Sequence, residues 1–123
     1  MREIKFRGYN DCAKQWFYGD LVRGLAGSTG ECFIFYDNDK TTPDKIIVDP
    51  ASVGQFTGLH DKNGKEIYEG DFIEGSKYSG IVEWQPDCAQ FVGWLGDEPF
   101  GLWYDNDYEV LGNIYDNPGL KEL

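Results

Sequence analysis

Tyr68-Glu-Gly-Asp-Phe-Ile-Glu-Gly-Ser-Lys-Tyr-Ser-Gly-Ile-Val-Glu-Trp84 holds two short apolar runs, each opened by a glycine. Gly70-Asp71-Phe72-Ile73 starts one strand after a turn, and Gly80-Ile81-Val82 starts the next after Gly75–Ser79. Glycines at such points permit the sharp bends by which a few strands close a barrel. The stretch therefore predicts a mostly-β protein built around a small barrel.

The flanking sequence agrees. Ile4 and Phe6 alternate with Glu3, Lys5 and Arg7, a half-buried strand expected to end at Gly8. Gln15–Val22 reads as a second strand, and Gly24–Gly30 as a flexible loop. Cys32-Phe-Ile-Phe-Tyr36 is uniformly apolar, which predicts a strand buried on both faces. A polar loop at Asp37–Asp44 and a strand at Lys45–Val48 follow. Asp49-Pro50 can cap a single helical turn, and Gln55–Thr57 is extended. Asn63-Gly64 is the strongest hairpin signal in the chain. Further strands are expected at Glu66–Tyr68, Asp71–Glu74, Gly80–Trp84, Gln90–Leu95, Phe100–Trp103 and Tyr108–Tyr115. The reading is one domain over residues 1–123, with N-terminal strands over 1–50 and a barrel core over 51–118.

Charge is lopsided. The formal net charge is -11, and Tyr78–Leu123 holds Glu83, Asp87, Asp97, Glu98, Asp105, Asp107, Glu109, Asp116 and Glu122 against Lys121 alone. Such a field repels phosphate backbones and anionic membranes and attracts basic protein surfaces. Cys12, Cys32 and Cys88 form no paired motif and read as free thiols of a cytoplasmic protein. No apolar run approaches the roughly 20 residues that span a membrane.

Residues able to carry chemistry are sparse. His60 is the only histidine and sits beside a turn, so neither a metal site nor a Cys–His pair has support in the spacing. Gly24, Gly27 and Gly30 imitate a phosphate loop but lack the following Lys-Ser/Thr and a helix. No catalytic, metal-binding or cofactor-binding residue is expected, and the chain reads as a non-enzyme.

The glycine rhythm of the opening stretch resembles that of small SH3-like barrels, including the KOW type. The whole chain resembles the YopX family of phage and prophage proteins in three blocks. These are Met1–Gly8 with Trp16–Leu21, the central run Val53–Asp71, and Tyr108–Pro118. The resemblance implies a mostly-β fold with an SH3-like barrel and a phage-borne gene, and no activity. Within those blocks Gly58, Gly64, Gly70 and Gly112 read as turn and bend positions. Tyr68, Ile73, Val82, Val110 and Ile114 read as core.

At 16% aromatic residues the chain has more rings than it can easily bury. Exposed aromatics tend to be interfaces. Trp16, Tyr18, Trp94, Trp103 and Tyr104 are therefore the candidate contact residues of a protein-binding or self-assembling accessory protein. The alternative is an acidic nucleic-acid mimic acting through Asp97, Glu98, Asp105 and Asp107. Direct nucleic-acid binding through a KOW-like barrel ranks below both.

Overall fold

Alternation of apolar and polar residues, broken every few positions by glycine or an Asx turn, gives eleven strands and three short 3-10 turns among the described residues. The computed structural model describes residues 3–24, 30–37 and 44–122, the side chains of Tyr104, Lys121 and Glu122 excepted. Among these residues there is no α-helix. Most of the loops read at Gly24–Gly30 and Asp37–Asp44, Gly27 included, lies outside the described residues. The chain divides into two units, Met1–Phe56 and Thr57–Leu123.

In the first unit β1 (Phe6–Asn10), β2 (Gln15–Arg23), β3 (Cys32–Tyr36), β4 (Asp44–Val48) and the start of β5 (Gly54–His60) form an antiparallel sheet. Its order is β4-β3-β2-β1-β5. Phe17, Cys32, Ile34 and Val48 form its core, with Phe6, Leu21 and Ile46 packed against them. Two expectations are corrected. β1 does not end at Gly8 but runs through it, because Gly8 lies against Val48, whose Cγ2 would stand 2.6 Å from a Cβ there. β3 is buried on one face only: Cys32 and Ile34 turn inward while Phe33 and Phe35 are half-buried. The Lys45 ammonium lies 5.6 Å from the Phe33 ring centroid and covers it. The helical turn at Pro50–Ser52 is present, and Asp49 accepts from the Ala51 N–H at 3.1 Å.

The second unit takes up the end of β5, joined by β6 (Glu66–Tyr68) across the Asn63-Gly64 turn. Asp61 holds that turn. Its Oδ1 accepts from Asn63 N at 2.8 Å and Lys65 N at 2.9 Å, and its Oδ2 accepts from Val110 N at 3.0 Å. Five further strands follow: β7 (Asp71–Glu74), β8 (Ser79–Gln85), β9 (Gln90–Leu95), β10 (Glu98–Gly101) and β11 (Glu109–Asn113). Their antiparallel order is β10-β9-β8-β7-β11. Ile67, Ile73, Val82, Phe100, Leu102 and Tyr108 form the core.

Barrel closure was expected here, yet among the described pairings β10 and β11 are the two ends of an open sheet. The strand expected at Phe100–Trp103 stops at Gly101, and Leu102–Tyr104 is a 3-10 turn. That turn sends Leu102 into the core and Trp103 outward. The last strand is shorter than Tyr108–Tyr115 because Asn113 Oδ1 accepts from Tyr115 N and Asp116 N and curls the chain away. Gly58, Gly64 and Gly70 have positive φ, and Gly112 sits at a bulge of β11 where an added Cβ would stand 2.9 Å from Asn117 Oδ1. Tyr68, Ile73 and Val82 are core, while Val110 and Ile114 are only half-buried.

Candidate functional site

In the second unit, aromatic and acidic side chains meet where the turn between β7 and β8 reaches the segment after β10. The turn's N–H groups point one way, and two carboxylates accept them. Asp105 Oδ2 accepts from Lys77 N at 3.0 Å and Tyr78 N at 3.1 Å, and its Oδ1 accepts from Ser76 Oγ at 3.3 Å. Asp107 Oδ1 accepts from Ser76 N at 3.2 Å. The approach is close enough that a Cβ on Gly75 would lie 2.5 Å from Asp105 Oδ2. The Ser76 N–H holds the Asp107 carboxyl below its usual range, against a smaller opposing effect of desolvation.

Aromatic rings continue the site. Tyr78 stacks on Phe100 with centroids 5.0 Å apart, and Phe100 lies 6.2 Å from Tyr108. Tyr78 is 40% exposed, and Trp103 is 72% exposed. The Trp103 indole folds toward Gly101, where an added Cβ would meet its Nε1 at 2.5 Å. Tyr108 is buried, and burial first, then the charge of Asp105, pushes its phenol up to about 12. The Asp105 N–H, close to its hydroxyl, moderates the rise.

Of the residues singled out in the sequence, Asp105 and Asp107 come together here, and Trp103 stands in the 3-10 turn just before them. Tyr104 belongs to the same turn, but its side chain lies outside the described residues. Asp97 and Glu98 are exposed at a different turn, between β9 and β10. Trp94 lines a cleft of about 180 Å3 with Phe72, Ile81 and Leu120. Trp16 and Tyr18 belong to the first unit. The Arg7 guanidinium covers Trp16 at 4.8 Å, and Tyr9 meets it edge-on. Tyr18 is 46% exposed and lines an open groove of about 450 Å3 with Ile4, Phe35 and Tyr36. Sequence reasoning missed Tyr78, Phe100 and Tyr108 as site residues. The available signal was a glycine inside a strand, Gly93, which marks close approach by another group.

Among the described residues no three His, Cys, Asp or Glu side chains converge to hold a metal ion. No helix among them is long and apolar enough to cross a membrane. His60 is exposed at the end of β5, Cys12 and Cys88 are exposed, and Cys32 is buried.

Fold and site together define an all-β protein with two antiparallel sheets that presents an aromatic and acidic face on one of its units. The chain belongs to the YopX family, whose description is "YopX protein" and whose model matches residues 5–122. Its fold is similar to that of protein EF1440 from Enterococcus faecalis, known from a crystal structure. The identity is 24%, over 98% of this chain and 99% of that one, with a TM-score of 0.53. Comparison with curated proteins finds no match.

Proposed function

We propose that this chain is a non-catalytic protein-binding module, an accessory protein of a phage or prophage acting in the host cytoplasm, with Trp103 at the centre of its contact face. The observation that carries the reading is the exposure of that indole, 72%, in the turn that follows Phe100 of the Tyr78–Phe100–Tyr108 stack. A large, mostly exposed aromatic side chain is the composition of an interface anchor. The second unit is best read as a small SH3-like barrel. Support comes from the strand order β11-β7-β8-β9-β10 and from the 3-10 turn just ahead of the last strand. Self-assembly is one form of the same activity, with a second copy as the bound protein.

Capture from infected-cell lysate by the wild type and by Trp103→Ala tests the reading. Loss of this exposed ring should leave the fold intact and weaken capture of the specific partner by about thirtyfold, the effect of a hot-spot residue. Equal capture by both proteins overturns the proposal. A captured basic nucleic-acid-binding protein that is released by amide replacement of Asp97, Glu98, Asp105 and Asp107 would favour acidic mimicry instead.

A further inference from the structure

We infer that Asn63 is a self-modification site, converted to aspartate and isoaspartate through attack by the Gly64 amide nitrogen, and that the turn around Asp61 controls when this happens. The inference is independent of the contact face proposed above.

The reacting groups stand together by sequence. Asparagine is among the chemically labile side chains, and Asn63 is the only one in this chain followed by glycine. Both residues are exposed, and a Cβ added to Gly64 would meet nothing within 4 Å. The Asn63 carboxamide makes no hydrogen bond among the described residues. With no side chain at residue 64, nothing obstructs approach by its nitrogen. In the reaction the Gly64 nitrogen gives its proton to water and bonds to Asn63 Cγ. The bond from Cγ to Nδ2 breaks, and that nitrogen leaves as ammonia after taking a proton from water. A cyclic imide results. Water then opens the ring at one of its two carbonyls, giving aspartate or an isoaspartate whose main chain runs through Cγ. Ammonia leaves, water enters, and nothing is oxidised or reduced.

The folded turn withholds the nucleophile. Gly64 N donates to Asp61 O at 3.0 Å, and neither Lys62 nor Asn63 has a positive φ. A hydrogen-bonded turn of that kind is type I, with ψ of about 0° at its third residue. At Asn63 this angle places the Gly64 nitrogen over the residue's own nitrogen and away from its Cβ. Rotation toward Cγ breaks the bond to Asp61 O. Further contacts resist that rotation. Asp61 N donates to Lys65 O at 2.7 Å, and Asp61 Oδ1 accepts from Asn63 N and Lys65 N. The turn is also tied to the chain around β11, through Val110 N to Asp61 Oδ2 and Lys62 N to Tyr108 O. Local opening of these bonds is therefore the step that delivers the nitrogen.

The product weakens the turn that protected it. Isoaspartate lengthens the main chain between the residue 63 Cα and Gly64 N, so the two N–H groups on Asp61 Oδ1 lose their spacing. Its new carboxylate also stands beside that of Asp61, a like charge where there was none. Asp61 then releases Val110 N, and β11 loses that anchor.

Incubation of the full chain at mildly alkaline pH, followed by peptide mapping for isoaspartate, tests the inference. Conversion should occur at residue 63 with release of ammonia. It should run about tenfold faster or more in chain unfolded by urea, because several hydrogen bonds must otherwise break first. Asp61→Asn weakens the turn and should speed conversion of the folded protein by about fivefold. Gly93→Ala crowds Phe100 in the core and leaves the turn's own residues in place, so its rate should match wild type. Equal rates in folded and unfolded chain, no acceleration by Asp61→Asn, or equal acceleration by both variants would overturn control by the turn. Absence of isoaspartate at residue 63 in the unfolded chain would overturn the site itself.

Discussion

Phe100 lies flat across β9 because Gly93 opposite it has no side chain. A Cβ there would come 2.1 Å from Phe100 Cζ, inside any permitted contact. Gly93→Ala should therefore force the ring out of a core position that is 6% exposed. The expected cost is about 2 kcal/mol, typical of overpacking, read as a lower midpoint of urea unfolding. An unchanged midpoint would mean that the ring is not held as described. Asp61 makes the second residue-scale case. Burial pushes its carboxyl up, but N–H donors from Val110, Lys65 and Asn63, with the Lys65 charge, outweigh that and lower it below the usual 3.8. A folded value below the unfolded one means that the stability is present above 3.8 and is lost as pH falls through the lower folded value. Asp61→Asn should be less stable than wild type at neutral pH and should lose less on acidification. Unfolding curves at neutral and acidic pH check this, and parallel acid losses in the two proteins would contradict it.

The pairing of β7 with β11 joins local and distant sequence. Replacing Glu74 by Gln removes the like-charge pair with Glu109 and should raise stability by about 0.5 kcal/mol, more at low salt. A thermal melt at two salt concentrations reads this, and a loss of stability would show that Glu74 has a favourable partner. Elements written in short-range chemistry were legible in the sequence. The Asn63-Gly64 turn and the Asp49-Pro50 turn formed as their residues dictate. Elements decided by contact at a distance were not. Gly8 reads as a strand terminus until Val48 is seen packed on it. Phe100–Trp103 reads as one apolar strand until the core accepts Leu102 and leaves Trp103 outside. The site shows the same division. Trp103, Asp105 and Asp107 stood out by type, but the meeting of the two carboxylates with Ser76 and Tyr78 depends on the sheet order. No local pattern could announce Tyr108 as the floor beneath them.

The whole chain carries a net charge of -11 and 16% aromatic residues, and in the second unit Asp105 and Asp107 hold the turn that carries the exposed ring of Tyr78. The central run of the family blocks, Val53–Asp71, includes Asp61 and the Asn63-Gly64 turn, so those signature residues support the fold, and Lys62 between them donates its N–H to the Tyr108 carbonyl at 2.8 Å. The aromatic and acidic face is drawn from Gly75–Tyr78 and Phe100–Tyr108 instead. Amide chemical-shift mapping of the full chain with the partner captured from lysate is the most direct test of that assignment. The account predicts that the perturbed amides cluster at Ser76, Lys77 and Tyr78 and at Leu102–Tyr108. Perturbation centred on Tyr18, Phe35 and Tyr36 in the first unit, or no perturbation, would contradict it.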